Sequence, residues 1–309
     1  MRLSEVAYRV GSGLDEIEAL EPFYTALRGT PNDDRPSEFD GVETRLSIVV
    51  DKAIKETGLR WRLDFLNKAI GSLRKGDFGY IFARPESGKT TFLHSEVSHM
   101  LKHTDGNIVW FNNEEQDSKV ILRFHQSYFG IRLEQLLSNV SGYEKLFEEQ
   151  TGGRFKFFSI DRCNRRDAER IFNLYNPVLT VYDQLDKFKG FDADREDLRL
   201  GAIYIWAREM AKQYGAGIGV CQADGSAEGV RWLTMDHCSN AKTSKQAEAD
   251  WMIGIGKTHS EGAEFIRYLS ICKNKLLGDP DSIESLKHGR TEILLHPEIA
   301  RYKDIIKYD

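Results

Sequence analysis

The sequence predicts an α/β fold: a mainly parallel, twisted sheet with antiparallel late strands, preceded by a short helical N-terminal extension. Three features predict it. From Trp61 onward, short apolar runs alternate with longer helix-period segments, the pattern of strands joined by crossover helices. Toward the C-terminus the apolar runs follow one another without an intervening helix, as hairpin strands do. And one run, Phe78-Gly79-Tyr80-Ile81-Phe82, passes through Ala83-Arg84-Pro85-Glu86-Ser87-Gly88-Lys89-Thr90-Thr91 into Phe92-Leu93-His94-Ser95-Glu96-Val97, the layout of a buried strand, a tight loop and a helix start.

Taken in order, the chain opens differently from the way it continues. Leu14, Ile17, Leu20, Tyr24 and Leu27 recur at three- and four-residue steps and predict an amphipathic helix from Leu14 to Leu27, with Pro22 as a kink and Gly29 as its stop. Thr30 to Pro36 is a polar linker. Val42, Leu46, Val49, Val50, Ala53 and Ile54 mark a second helix that ends near Gly58. Residues 1–58 therefore form a helical extension, either packed on its own domain or serving as an arm onto a neighbouring subunit, and 59–309 form the main domain. In that domain, strands are expected at 77–83, 107–112, 155–159, 178–183, 216–221, 250–256, 264–273 and 291–296, and helices at 89–103, 117–128, 165–175 and 196–213.

The bulk properties exclude several classes. A chain of 309 residues with 40% hydrophobic and 29% charged residues is a globular protein able to bury a large core. A net charge of −5 argues against a wholly basic nucleic-acid coat, so any such contact must come from a local patch. Cys163, Cys221, Cys238 and Cys272 form no C-x-x-C pair, which excludes a zinc ribbon and makes a reducing compartment the default. No apolar run is long enough for a membrane span, and the first residues lack an apolar leader, so a cytoplasmic location is expected.

The chemistry concentrates at the ends of the apolar runs. The segment from Ala83 to Thr91 reads as a phosphate-binding loop (P-loop, Walker A), although Ala83 stands where the general pattern has glycine. Such a loop turns backbone N–H groups toward an anion at a helix N-terminus; Lys89 would reach the β- and γ-phosphates, and the Thr90 hydroxyl would hold Mg²⁺. Asp183 ends the run Pro177–Tyr182, where it is either a turn residue or, beside such a loop, a carboxylate for the Mg²⁺. Glu114 and Glu115 end the run Asn107–Asn113; one could take a proton from an attacking water, or both could be a solvated helix start. Gln222 ends the run from Gly217 and could sense the γ-phosphate. The long polar loop from Ala223 to Asn240 follows it, with Arg231, Lys242, Ser244 and Lys245 in or just after it; such side chains suit a phosphate backbone as well as a solvated surface. Lys273 and Lys275, two apart on a strand, face one way, toward an anion across an interface or toward solvent.

Together these residues resemble the RecA-type P-loop ATPase core of the DnaB family of hexameric replicative helicases and its phage relatives. The resemblance spans Trp61 to Tyr302 and is carried by Leu63-Asp64, by Leu73-Arg74-Lys75-Gly76-Asp77, and by the A-R-P-x-x-G-K-T form of the loop, whose Ala83 that family favours. It implies ATP and Mg²⁺ as cofactors. Arg84, Ser87, Gly88, Lys89, Thr90, Thr91 and Asp183 would bind them, with Thr90 and Asp183 on the metal and Arg301-Tyr302 beside the base. Glu114, which precedes Arg123 by nine residues as the family's catalytic glutamate precedes an arginine, is preferred over Glu115. Gln222 would be the sensor, and Lys273 and Lys275 would reach the next subunit's ATP, with lysine where the family has a finger arginine.

The resemblance further implies a homo-oligomeric ring, six subunits by family precedent, on single-stranded DNA, with Arg231, Lys242, Ser244 and Lys245 at the DNA. A primase, polymerase or loader would be the protein partners, with no membrane, in the cytoplasm of a bacterial or phage-infected cell. The family's large N-terminal domain and a zinc-ligating primase have no counterpart in these residues. Two alternatives stay open: a RecA-like recombinase filament on single-stranded DNA, and a non-motor adaptor that binds nucleotide for assembly.

Overall fold

The computed structural model describes residues 3–20, 22–23, 45–50, 58–159, 164–239 and 242–305. The chain divides into two units, Met1–Ala53 and Ile54–Asp309. In the first, helix α1 runs Leu3–Gly11, a 3₁₀ turn spans Ile17–Leu20 and α2 covers Leu46–Val50. The helix expected from Leu14 does not begin there, although residues 22–23 within its bounds are helical, and α1 precedes it as an element the periodicity did not announce. Gly13 adopts φ +70° and the Arg9 guanidinium pairs in bidentate fashion with Asp15 at 2.7 and 2.8 Å, which closes a turn where the helix was expected to begin. The remainder of that expected helix, from residue 24, lies outside the described residues, as do Pro36 and Cys163.

The second unit is built on one sheet of nine strands: β1 (Phe78–Ala83), β2 (Ile108–Asn112), β3 (Phe155–Ser159), β4 (Leu179–Tyr182), β5 (Ala216–Gln222), β6 (Trp251–Gly256), β7 (Ile266–Asn274), β8 (Arg290–His296) and β9 (Arg301–Asp304). Their order is β3-β2-β4-β5-β1-β6-β7-β8-β9, parallel from β3 through β6 and antiparallel from β6 onward. The helices are α3 (Asp64–Ala69), α4 (Lys89–Lys102), α5 (Asp117–Phe129), α6 (Leu133–Ser138), α7 (Val140–Thr151), α8 (Arg165–Tyr175), α9 (Glu196–Gln213) and α10 (Lys242–Glu248). The eight expected strands form within two residues of their expected bounds. Among the described residues no helix is long and apolar enough to cross a membrane.

The central strands are buried along their whole length, which is why they read as unbroken apolar runs. Successive side chains of β1 go to opposite faces: Phe78, Tyr80 and Phe82 enter a core shared with Phe111, Tyr182, Tyr204 and Trp206, whereas Ile81 and Ala83 enter one shared with Phe92, Trp110, Trp251 and Leu269. The parallel register then brings functional positions to one edge. Ala83 lies beside Gln222, and the Asp183 amide donates to the Phe111 carbonyl at 2.9 Å, so the C-terminal ends of β1, β5, β4 and β2 stand together.

Gly79 leaves no room for a side chain, because a Cβ there would run into the indole and carbonyl of Trp251 on β6. Replacing Gly79 by Ala is expected to destabilise the protein by about 1–3 kcal/mol, read as a lower midpoint in urea with unchanged slope.

Candidate active site

Where β1 turns into α4, the backbone takes two left-handed residues, Glu86 at φ 59° and Gly88 at φ 94°. The outer carbonyls of this turn are tied back to the body of the domain. Ser87 O accepts from Arg267 Nε at 2.9 Å and from the Tyr302 hydroxyl at 3.3 Å, and Gly88 O accepts from the same hydroxyl at 3.3 Å. A Cβ on Gly88 would meet that hydroxyl, so the close approach requires glycine. With its carbonyls so held, the first turn of α4 presents its unpaired N–H groups, an anion site by geometry and dipole.

Beside this turn lies a cavity of about 290 Å³, lined among others by Lys89, Thr90, Glu114, Glu115, Arg123 and Arg267. Lys89 is 4% exposed; burial lowers its pKa, and Glu114 and then Asp183 oppose that shift. Asp183 is fully buried, and among the described residues neither of its carboxylate oxygens has a hydrogen-bond donor. Burial, followed by the charge of Glu114, pushes its pKa up to about 8 against the opposing pull of Lys89.

The two glutamates divide. Glu115 pairs with Arg123 at 3.4 Å, whereas Glu114 Oε2 is buried without a partner among the described residues and acts on both Lys89 and Asp183. Asn112 fixes the turn that separates them, donating to the Glu115 carbonyl at 2.7 Å and to Asp117 Oδ1 at 2.6 Å.

These donors fit a hard divalent cation. A buried carboxylate with two free acceptors, together with the Thr90 hydroxyl, offers oxygen ligands and leaves most of the coordination shell to phosphate and water, as Mg²⁺ prefers. Among the described residues no group of three His, Cys, Asp or Glu could hold a metal by itself.

The remaining expected residues divide between the site's surroundings and elsewhere. Gln222 accepts at its carbonyl from Ser239 N at 3.0 Å and Ser239 Oγ at 2.7 Å, which ties β5 to the far end of the loop that follows it. Arg84 pairs with Glu228 of that loop at 3.0 Å and donates to Ala223 O at 3.3 Å. Glu228 also meets His259 at 3.0 Å. Arg231 is exposed, over the ring of Tyr268 at 4.9 Å. Lys242 and Ser244 sit on α10, with side chains outside the described residues. Lys275 is exposed, and Lys273 donates to the Gln246 carbonyl; burial, followed by Lys275, lowers the Lys273 pKa to about 8.

Two expectations need correction. The sequence puts Lys245 at DNA, yet its side chain is 0% exposed; its ammonium pairs with Asp186 at 2.6 Å and donates to Ser239 O at 3.0 Å. It fastens α10 to the segment after β4 and cannot reach a phosphate backbone. The resemblance puts Tyr302 beside a base, yet it is 0% exposed and supports the phosphate turn from behind, while Arg301 donates to the carbonyls of Ser127 at 2.6 Å and Tyr128 at 3.0 Å and so caps the end of α5. Sequence reasoning misses Arg267, whose signal is a charge in the otherwise apolar first half of β7.

No family model matches the sequence, and no curated protein matches it. Solved structures do. A DnaB-like replicative helicase, described with its interactions with primase, superposes with a TM-score of 0.67 over 98% of this chain and 75% of that one, at 15% identity. The ATPase domain of another DnaB-family helicase gives 0.66 over 94% of this chain and 100% of that one, also at 15% identity. The fold is that of a DnaB-type ATPase domain. The turn between β1 and α4, Asp183 and Glu114 of this chain therefore stand on a DnaB-type scaffold, at the edge where its parallel strands end.

The raised pKa of Asp183 has a consequence for stability. Its folded value, about 8, lies above the ordinary carboxylate value of 3.8, so its contribution is complete below pH 4 and is lost as pH rises toward 8. Asp183→Asn removes that loss. The melting temperature of the ligand-free Asn variant is expected to exceed that of the parent by several degrees more at pH 8 than at pH 5.

Proposed function

We propose that this chain is an ATP-dependent motor of the replicative-helicase kind, a ring that hydrolyses nucleotide between subunits while moving on single-stranded DNA. The observation that carries the proposal is the convergence of Lys89, Thr90, Glu114 and the donor-less carboxylate of Asp183 at one turn. In this reading Lys89 and the first turn of α4 bind the polyphosphate, and Asp183 with Thr90 hold Mg²⁺. Glu114, unpaired and facing Lys89 and Asp183, orients the attacking water and receives its proton. The Mg²⁺, when bound, would neutralise charge that builds between the terminal phosphates.

The same reading assigns transmission to the loop after β5. Arg84 links the phosphate turn to Glu228, and Gln222 links β5 to Ser239, so a displacement of the turn reaches both ends of this loop. Arg231, exposed on the loop, and Lys242 and Ser244 beyond it are the proposed DNA contacts, with Lys245 now excluded. Lys275 and the less basic Lys273 are the cations proposed to act across the subunit interface. Primase, polymerase and loader contacts belong to the same proposal, supported by the fold shared with a helicase studied with primase.

ATPase turnover with and without single-stranded DNA, on protein of measured oligomeric state, tests the proposal. The parent is expected to be stimulated by DNA, Lys89→Ala to be inactive, and Glu114→Gln to bind nucleotide but lose turnover by about 10²–10⁴-fold, with Glu115→Gln affected far less. A Lys89→Ala protein as active as the parent excludes the motor. Nucleotide-dependent assembly without turnover would favour the adaptor instead.

A further inference from the structure

We propose that Arg267 is a phosphate-binding residue supplied by the same subunit that carries the phosphate turn. It would take an oxygen of the polyphosphate opposite Lys89. This deepens the nucleotide reading above and rests on it. Arg267 lies on β7, one residue before Tyr268, which pairs with Gly256 at the C-terminal end of β6; the strand order thereby delivers its side chain to the edge where β1 ends. The side chain lines the same cavity as Lys89, Thr90 and Glu114, and the residue is 4% exposed.

The charge balance of that cavity carries the argument. Arg123 is paired with Glu115, and Lys89 lies in the field of Glu114 and Asp183. Arg267, among the described residues, has no carboxylate at ion-pair distance. Its Nε donates to Ser87 O at 2.9 Å, and its Nη1 donates to Glu264 O at 2.9 Å and Ile266 O at 2.8 Å. No bond to Nη2 is formed among the described residues.

A nearly buried guanidinium held only by carbonyl dipoles is costly, and an anion in the cavity would offset that cost. Three fixed carbonyls leave the fork little freedom, so a phosphate oxygen would be met by a pre-oriented donor. Because Ser87 belongs to the turn itself, the same side chain that meets the anion would also hold the loop around it. Phosphate binding would then need no residue from a neighbouring subunit, whereas Lys273 and Lys275 would be needed only for turnover.

Isothermal titration of inorganic tripolyphosphate and of Mg²⁺·ADP into the parent, Arg267→Gln, Arg267→Lys and Lys89→Ala proteins, each at several salt concentrations, tests this. Arg267→Gln is expected to bind both ligands about tenfold or more weakly and to show a shallower salt dependence. Arg267→Lys, which keeps the charge, is expected to keep the parent's salt dependence. Affinity within twofold of the parent for Arg267→Gln, or an equal loss in Gln and Lys variants with the parent's salt dependence, overturns the proposal and leaves Arg267 as a support of the loop.

A parent that binds while Lys89→Ala does not preserves the nucleotide reading whatever Arg267 does; a parent that binds neither ligand removes both. If Arg267→Gln fails to fold, a crystal structure of the parent with tripolyphosphate decides. Nη2 within about 3.2 Å of a phosphate oxygen supports the assignment, and a guanidinium still bound only to carbonyls overturns it.

Discussion

A carboxylate buried without any donor is an unfavourable thing to build, and Asp183 is held in that state by the sheet around it. Strand β4 lies between β2 and β5, covered on both faces, so the residue that follows it, Asp183, emerges into protein and not into water. The charge it would carry is opposed by burial and by Glu114, and Lys89 is the strongest influence in its favour. The site therefore stores an unmet demand for positive charge. In the proposed reading a divalent cation would meet it, while Lys89 and the α4 N-terminus would meet the negative charge arriving with that cation. The parallel order from β3 to β6 makes this possible, since it brings four strand ends to one edge.

The surroundings of the site are fastened at several points, and the fastenings define what can move together. Tyr302 and Arg267 hold the carbonyls of the phosphate turn from the antiparallel half of the sheet. Arg84 with Glu228, and Gln222 with Ser239, join the turn and β5 to the following loop. Lys245 with Asp186 joins α10 to the segment directly after Asp183, and Tyr204 donates to the same carboxylate at 3.0 Å. The loop carrying Arg231 is thus tied at both ends to elements that also carry the proposed nucleotide residues, the physical continuity that the proposed coupling needs.

Much of this was legible because burial leaves a compositional trace. Strands covered on both faces appear as apolar runs, and the residues that end them, Asp183, Gln222 and the Ala83 turn, stand out by contrast. What was not legible depends on contacts distant in sequence or on weak patterns. Strand β9 is four residues long and reads Arg-Tyr-Lys-Asp, with no apolar alternation to announce it. Lys245 looked like a phosphate contact because its partner, Asp186, is 59 residues away. Tyr302 carried a family expectation that its complete burial does not allow. The choice between Glu114 and Glu115 rested on resemblance; the geometry separates them by showing which one Arg123 engages.

The most direct test of this account is the proton balance of nucleotide binding. With Asp183 titrating at about 8 in the ligand-free protein, it is mostly protonated at pH 7, and a cation placed on it must expel the proton. Titration of Mg²⁺·ADP in buffers of different ionisation enthalpy should show release of about one proton per site at pH 7, absent in Asp183→Asn. Binding with no proton release, or with the same release from the Asn variant, would contradict the assignment of Asp183 to the metal.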